Sequence, residues 1–148
     1  MPAANVTRQT CHKWQTAIDC NVSLKTYSAR ACANRSNFYK WVFNGAQLYQ
    51  QLAQHYTLFD GARRSSLTCF ETFPHAVVCA LAGRVVAARP KRETRRNALR
   101  QRGYDVESLT NVDFVDAGLS AITADAFVRG RVQLFGNKVE GFIVVPVG

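Results

Sequence analysis

The stretch LTCFETFPHAVVCALAG, residues 67–83, decides the fold class. Its first half alternates Leu67, Cys69 and Glu71 against Thr68, Phe70 and Thr72, the period of two that a strand requires. Pro74 cannot donate into a sheet but is preorganised for the first turn of a helix, so the spacing predicts a strand over 67–73 and a helix over His75–Leu81. Gly83 then supplies the left-handed stop. A strand feeding directly into a helix is the unit of an α/β architecture.

The same alternation continues outward. Lys91–Arg102 reads as a strongly basic helix closed by Gly103. Asn111 caps a longer helix over Asp113–Val128, whose buried stripe is Val112, Val115, Leu119, Ile122 and Ala126, with Gly130 ending it. Arg131–Phe135 and Phe142–Val145 are short strands. Toward the start, Ala46–His55 carries Leu48, Tyr49, Leu52 and Ala53 at helical spacing. Asn44-Gly45 is read as a break separating it from a helix capped by Ser36 or Asn37 with Phe38, Trp41 and Val42 on its apolar face. Phe59–Ser66 is a turn-like connection, and Trp14–Leu24 holds a short strand ending near Asp19.

The chain of 148 residues, with neither internal repeat nor linker, suits a single domain over 1–148, with 1–13 a candidate disordered start. No apolar run approaches the roughly 20 residues that span a bilayer, and MPAANVTRQTCHKWQ has no apolar core of a secretory signal. A soluble protein without a membrane partner is expected. The five cysteines, Cys11, Cys20, Cys32, Cys69 and Cys79, form no C-x-x-C pair and are an odd set, which favours reduced thiols in the cytoplasm over a disulfide framework or structural zinc.

Charge is concentrated. The net +9 arises from 19 Lys and Arg against 10 Asp and Glu, and Arg84–Arg102 alone holds eight basic residues and one acid, Glu93. Lys91, Arg92, Arg95 and Arg96 are the candidate phosphate-binding residues, since clustered guanidinium groups neutralise a polyanion; a solvated helix face is the alternative. The sparse acids are candidate ligands. Glu71 lies in an otherwise apolar strand, where a charge must be paired, ligated or at an edge. Asp113 and Asp116 share the face of a helix start, where macrodipole stabilisation alone also accounts for them. With Asp19 at a strand end, these four would form a hard oxygen cage suited to Mg²⁺ or Mn²⁺ and to phosphodiester cleavage. His75, beside Glu71 in sequence, is a candidate proton shuttle or a local hydrogen-bond partner.

The order of landmarks carries a resemblance: AID at 17–19, RACANR at 30–35, NFYKWVFNG at 37–45, CFETFPHAVVCALAG at 69–83, NVDFVDAGLSAITA at 111–124 and EGFIVVP at 140–146. Over about residues 17–146 the chain resembles a bacterial and archaeal domain-of-unknown-function family predicted to be RNase H-like nucleases. The resemblance implies a mixed sheet with flanking helices and a metal-dependent nuclease in which Asp19, Glu71, Asp113 and Asp116 are the matching acids. Lys91 and Arg95 match its basic helix, and Gly141 and Pro146 match its closing strand as structural residues. Such a fold opens with a hairpin whose first strand carries an acidic ligand, and residues 1–18 hold no Asp or Glu, so the opening strands and one ligand are expected to be missing. A sheet lacking them would expose an edge suited to pairing with a second copy. Three readings follow: a Mg²⁺- or Mn²⁺-dependent nuclease acting on DNA or RNA, a non-catalytic nucleic-acid-binding module using the basic segment 84–102, and an incomplete domain completed by oligomerisation.

Overall fold

The computed structural model describes residues 40–62, 65, 67–138 and 141–148. Helix α1, Lys40–Leu52, is followed by β1, Thr57–Leu58, and β2, Thr68–Cys69. Then come α2, Pro74–Ala82; α3, Lys91–Gln101; α4, Val112–Val128; and the strands β3, Val132–Asn137, and β4, Gly141–Pro146. This is an α/β arrangement, as the alternation of periods implied.

The local signals act where the chemistry says they should. Pro74 occupies the first turn of α2, and Gly83 closes it at φ 63° with its N–H reaching back to the last carbonyls. Asn111 caps α4 through its side-chain oxygen, which accepts from the Phe114 N–H at 2.9 Å. α3 ends at Gln101, one residue short of the expected boundary.

Two expectations need correction. Asn44-Gly45 does not break the chain: α1 runs continuously through both, because one interior glycine costs a helix only about 1 kcal/mol. β1, at Thr57 and Leu58, precedes the turn-like connection read over Phe59–Ser66 and lies beside Thr68 and Cys69 in parallel register. The strand expected over 67–73 shrinks to Thr68–Cys69 plus an isolated bridge at Glu71. The cap expected at Ser36 or Asn37, the strand over 14–24 and the thiols Cys11, Cys20 and Cys32 lie outside the described residues.

That bridge joins the strands. Glu71 pairs with Ile143 in parallel sense, its carbonyl accepting from the Val144 N–H at 2.8 Å, while the Thr72 hydroxyl donates to the Val144 carbonyl at 2.7 Å. β3 and β4 form an antiparallel hairpin with Leu134 opposite Val144. The described strands thus form two pairs, β1 with β2 in parallel and β3 with β4 antiparallel, tied together by that single bridge.

The run Phe142-Ile143-Val144-Val145 is apolar at every position because both faces of the hairpin are covered. Ile143 and Val145, with Phe135, pack on Ala76 and Ala80 of α2. Phe142 and Val144, with Val132 and Leu134, pack on Phe127 of α4 and on Phe59. A third cluster ties the helices: Val77 and Val78 of α2, Ala98 and Leu99 of α3, and Val115 and Leu119 of α4, with Val106 from the intervening loop. No helix among the described residues is long and apolar enough to cross a membrane.

Candidate functional site

α3 is amphipathic in an unusual way, because its arginines face protein as much as solvent. Ala98 and Leu99 drive one stripe into the core, and Arg95 is carried in with them. The Arg95 side chain is 8 % exposed, and its Nη1 donates to both carboxylate oxygens of Asp116 on α4. Lys91, one turn earlier, stands 3.8 Å from the same carboxylate.

Arg92, Arg96 and Arg100 recur every fourth residue and form a second stripe along the 103–110 connection. Arg92 donates to the Thr110 carbonyl at 3.3 Å and Arg96 to the Val106 carbonyl at 2.7 Å. Arg100 stands 3.4 Å from Glu107, which also lies 3.7 Å from Arg96. Arg102 donates to the Leu81 carbonyl at the end of α2, at 2.5 Å. The charges divide by partner: carboxylates face Arg95, Lys91, Arg96 and Arg100. Among the described residues, Arg92 and Arg102 touch neutral carbonyls and no carboxylate, and Arg84 and Arg89 have no carboxylate partner.

Because Arg102 reaches Leu81, the 83–90 connection must return alongside α3 to reach Lys91. Eight residues, at about 3.3 Å each when extended, cover the roughly 16 Å length of an eleven-residue helix. This places Arg84 near the Arg102 end of α3 and Arg89 near the Arg92 end. All four are exposed.

The acids are distributed differently. Asp113 is exposed in the first turn of α4, and Asp116 is half-buried against Arg95. Glu71 belongs elsewhere: the neighbouring Phe70 ring meets Phe127 at 4.6 Å, near the far end of α4. Eleven residues of helix, about 16 Å, separate Phe127 from Asp116. Among the described residues no three His, Cys, Asp or Glu side chains come together to hold a metal ion. The donor chemistry agrees, since both Asp116 oxygens are engaged by a guanidinium. The described part of the acid set therefore does not fit a Mg²⁺ or Mn²⁺ cage, while Asp19 lies outside the described residues.

Glu71 has its own environment. The residue is exposed, yet enough protein crowds its carboxyl to raise its pKa above the ordinary 4.5 through lost hydration. Tyr49 of α1 is close enough to feel it: burial first, then the Glu71 charge and Cys69, push the phenol up to about 12. Burial also raises the Cys69 thiol. His75 is 3 % exposed and lies 3.8 Å from the Cys79 sulfur one turn along α2, a local partnership inside the core.

Tyr49 and the division of the arginines by partner were both missed by sequence reasoning. Arg92, Arg96 and Arg100 at a spacing of four was the available signal for a stripe, but spacing cannot tell which stripe grips a loop. Searches of curated proteins and of solved structures return no match. The sequence profile of a family described as "Protein of unknown function (DUF429)" matches residues 6–141, nearly the whole length, and the chain belongs to that family.

Proposed function

We propose that this protein binds the phosphodiester backbone of a nucleic acid through the face formed by α3 and the 83–90 connection. One observation carries the reading: Arg92 and Arg102 are held in place by backbone carbonyls, so they are positioned without being neutralised. A guanidinium has five donors in a rigid fork, so one N–H on a carbonyl leaves others to meet a phosphate. Such anchoring also removes part of the side-chain entropy cost of binding. Arg84 and Arg89 extend the uncompensated charge to both ends of the helix.

The test is fluorescence anisotropy of labelled DNA and RNA across a salt series. Each phosphate neutralised contributes about 0.7–0.9 to the slope of log K against log salt. Converting Arg84, Arg89, Arg92 and Arg102 to Ala should flatten that slope by about three units. A wild-type protein that binds neither polymer at low salt would end the reading.

A second reading, phosphodiester hydrolysis of the RNase H-like kind, is favoured by Glu71 alone. It is a partly desolvated carboxylate pinned by its backbone between β2 and β4, with no cation paired to it among the described residues. Cleavage of DNA or RNA supported by Mg²⁺ or Mn²⁺ and lost in Glu71→Gln would establish it. Cleavage unchanged in that variant would remove Glu71 from the chemistry.

A further inference from the structure

The arginine face has aromatic side chains at its two ends, and neither serves the core. Tyr104 is 51 % exposed just beyond α3, and its backbone N–H is fixed on the Leu99 carbonyl at 3.2 Å. Phe114 is 51 % exposed in the first turn of α4, its N–H held by Asn111. Between them runs the 103–110 connection gripped by Arg92, Arg96 and Arg100. Arg102 flanks Tyr104 in sequence, and Arg92, on Thr110, lies beside the capped start of α4 that carries Phe114.

Exposed apolar side chains are common on this protein as on others, and what sets Tyr104 and Phe114 apart is that both are aromatic and stand at the ends of the arginine stripe. We propose that the face takes single-stranded nucleic acid, with bases stacking on Tyr104 and Phe114 while phosphates meet the arginines. This rests on the backbone-binding reading above and adds the strandedness of the ligand. The physical ground is that a duplex hides its base faces, whereas an unpaired strand offers a π-face at every nucleotide, and cationic grooves with aromatic platforms exploit this.

The separation of the platforms fits more than one nucleotide. Arg92 and Arg100 lie eight residues apart on α3, about 12 Å, and the aromatics flank that span. The acids along this face are Glu93, in the first turn of α3 beside Arg92, with Asp105, Glu107 and Asp113. Glu107 is faced by Arg96 and Arg100, and the Asp105 carboxylate accepts from the Glu107 N–H at 2.9 Å. The uncompensated arginines therefore stand at the two ends, beside the aromatics.

The experiment compares labelled single strands of DNA and RNA with hairpin duplexes of matched sequence, using the whole chain. Its variants are Tyr104→Ala, Phe114→Ala, Tyr104→Phe and the four-arginine variant. Single strands should bind more tightly than duplexes, and each alanine should weaken single-strand binding roughly 5- to 150-fold with the salt slope retained. Tyr104→Phe should keep the affinity. Both aromatic sites are exposed, so unchanged melting temperatures would show that folding is intact. Equal affinity for single strand and duplex, or alanine variants that bind single strands like wild type while the four-arginine variant does not, would overturn the stacking proposal and leave backbone binding standing. Absence of binding to every polymer at low salt would overturn both.

Discussion

Arg95 and Asp116, 21 residues apart in the chain, meet between α3 and α4, with one guanidinium nitrogen serving both carboxylate oxygens. The Arg95 side chain is 8 % exposed and that of Asp116 23 %. A charge this far inside must be compensated, and the pair fixes how the basic helix docks against α4. It also explains why an acid so near a helix start is not simply a dipole partner.

Removing one member should therefore be costlier than removing both. Asp116→Ala leaves a buried guanidinium without its counterion and is expected to destabilise by about 3–5 kcal/mol. Arg95→Met with Asp116→Leu replaces the pair by apolar volume and should recover most of that loss. The buried Arg95 Nε, with no acceptor among the described residues, is a further polar cost that the double variant removes. Urea unfolding midpoints of the three proteins decide it. A double variant no more stable than Asp116→Ala would show that the loss does not come from the uncompensated guanidinium.

Stability should fall as pH rises past the ordinary carboxylate range, and Glu71 is the reason. Its folded pKa lies above 4.5 because burial disfavours the charged form. A carboxyl of this kind holds its proton more tightly folded than unfolded, so its stabilising effect is complete below about 4.5 and is lost as pH climbs through the folded value. Glu71→Gln should flatten this part of the profile and leave the acid end unchanged. Urea midpoints at acid and neutral pH, measured on both proteins, provide the check.

The phenol of Tyr49 gives a second window with the same sign. With its pKa pushed from 10.0 to about 12, the folded protein keeps the Tyr49 proton longer than the unfolded chain does. Stability should drop between those values, and Tyr49→Phe should remove the drop. Because the Glu71 charge contributes, Glu71→Gln should also lower the Tyr49 pKa in an ultraviolet tyrosinate titration.

Short-range chemistry was legible from the residues and long-range partnership was not. Pro74, Gly83 and Asn111 act within four residues of themselves, so their roles in α2 and α4 could be read directly. β1 escaped because two exposed residues, Thr57 and Leu58, show no alternation and exist only through pairing with β2. Asp113 and Asp116 do share a helix start, but only the fold reveals that Asp116 turns to Arg95. The basic segment was visible as charge, whereas its division into arginines facing carboxylates and arginines on carbonyls depends on where the 103–110 connection runs. The α/β class survived these gaps because it needs only the alternation of periods. The RNase H-like detail asks for one mixed sheet, whereas the described strands form two pairs.

The hairpin offers a sharp test of the sheet. Gly136 sits opposite Phe142 with φ at 116°, and a Cβ built there would lie 2.2 Å from the Gly141 carbonyl oxygen. That oxygen belongs to backbone, so it cannot swing aside as a flexible side chain would. Gly136→Ala must strain φ, at about 1–3 kcal/mol, and also force the two strands apart. Loss of melting temperature well beyond that of an exposed-site control is expected, such as Gln133→Ala on the same strand.

Phe127 tests whether α4 and the sheet share one core. Its ring meets Phe59 edge-on at 4.9 Å and Phe70 at 4.6 Å, and it packs beside Val144. These contacts join the last turns of α4, the segment after β1, the residue after β2 and the centre of β4. A cavity at that junction cannot be filled by the movement of one element alone. Phe127→Ala is expected to cost about 3–5 kcal/mol, and Phe127→Leu markedly less because most of the volume stays. Amide hydrogen exchange supplies the discriminating measurement. If the elements share one core, protection at Val144 and in α2 should fall together in Phe127→Ala. Loss confined to α4, with the hairpin amides still protected, would mean that the sheet is held by α2 and the bridge at Glu71.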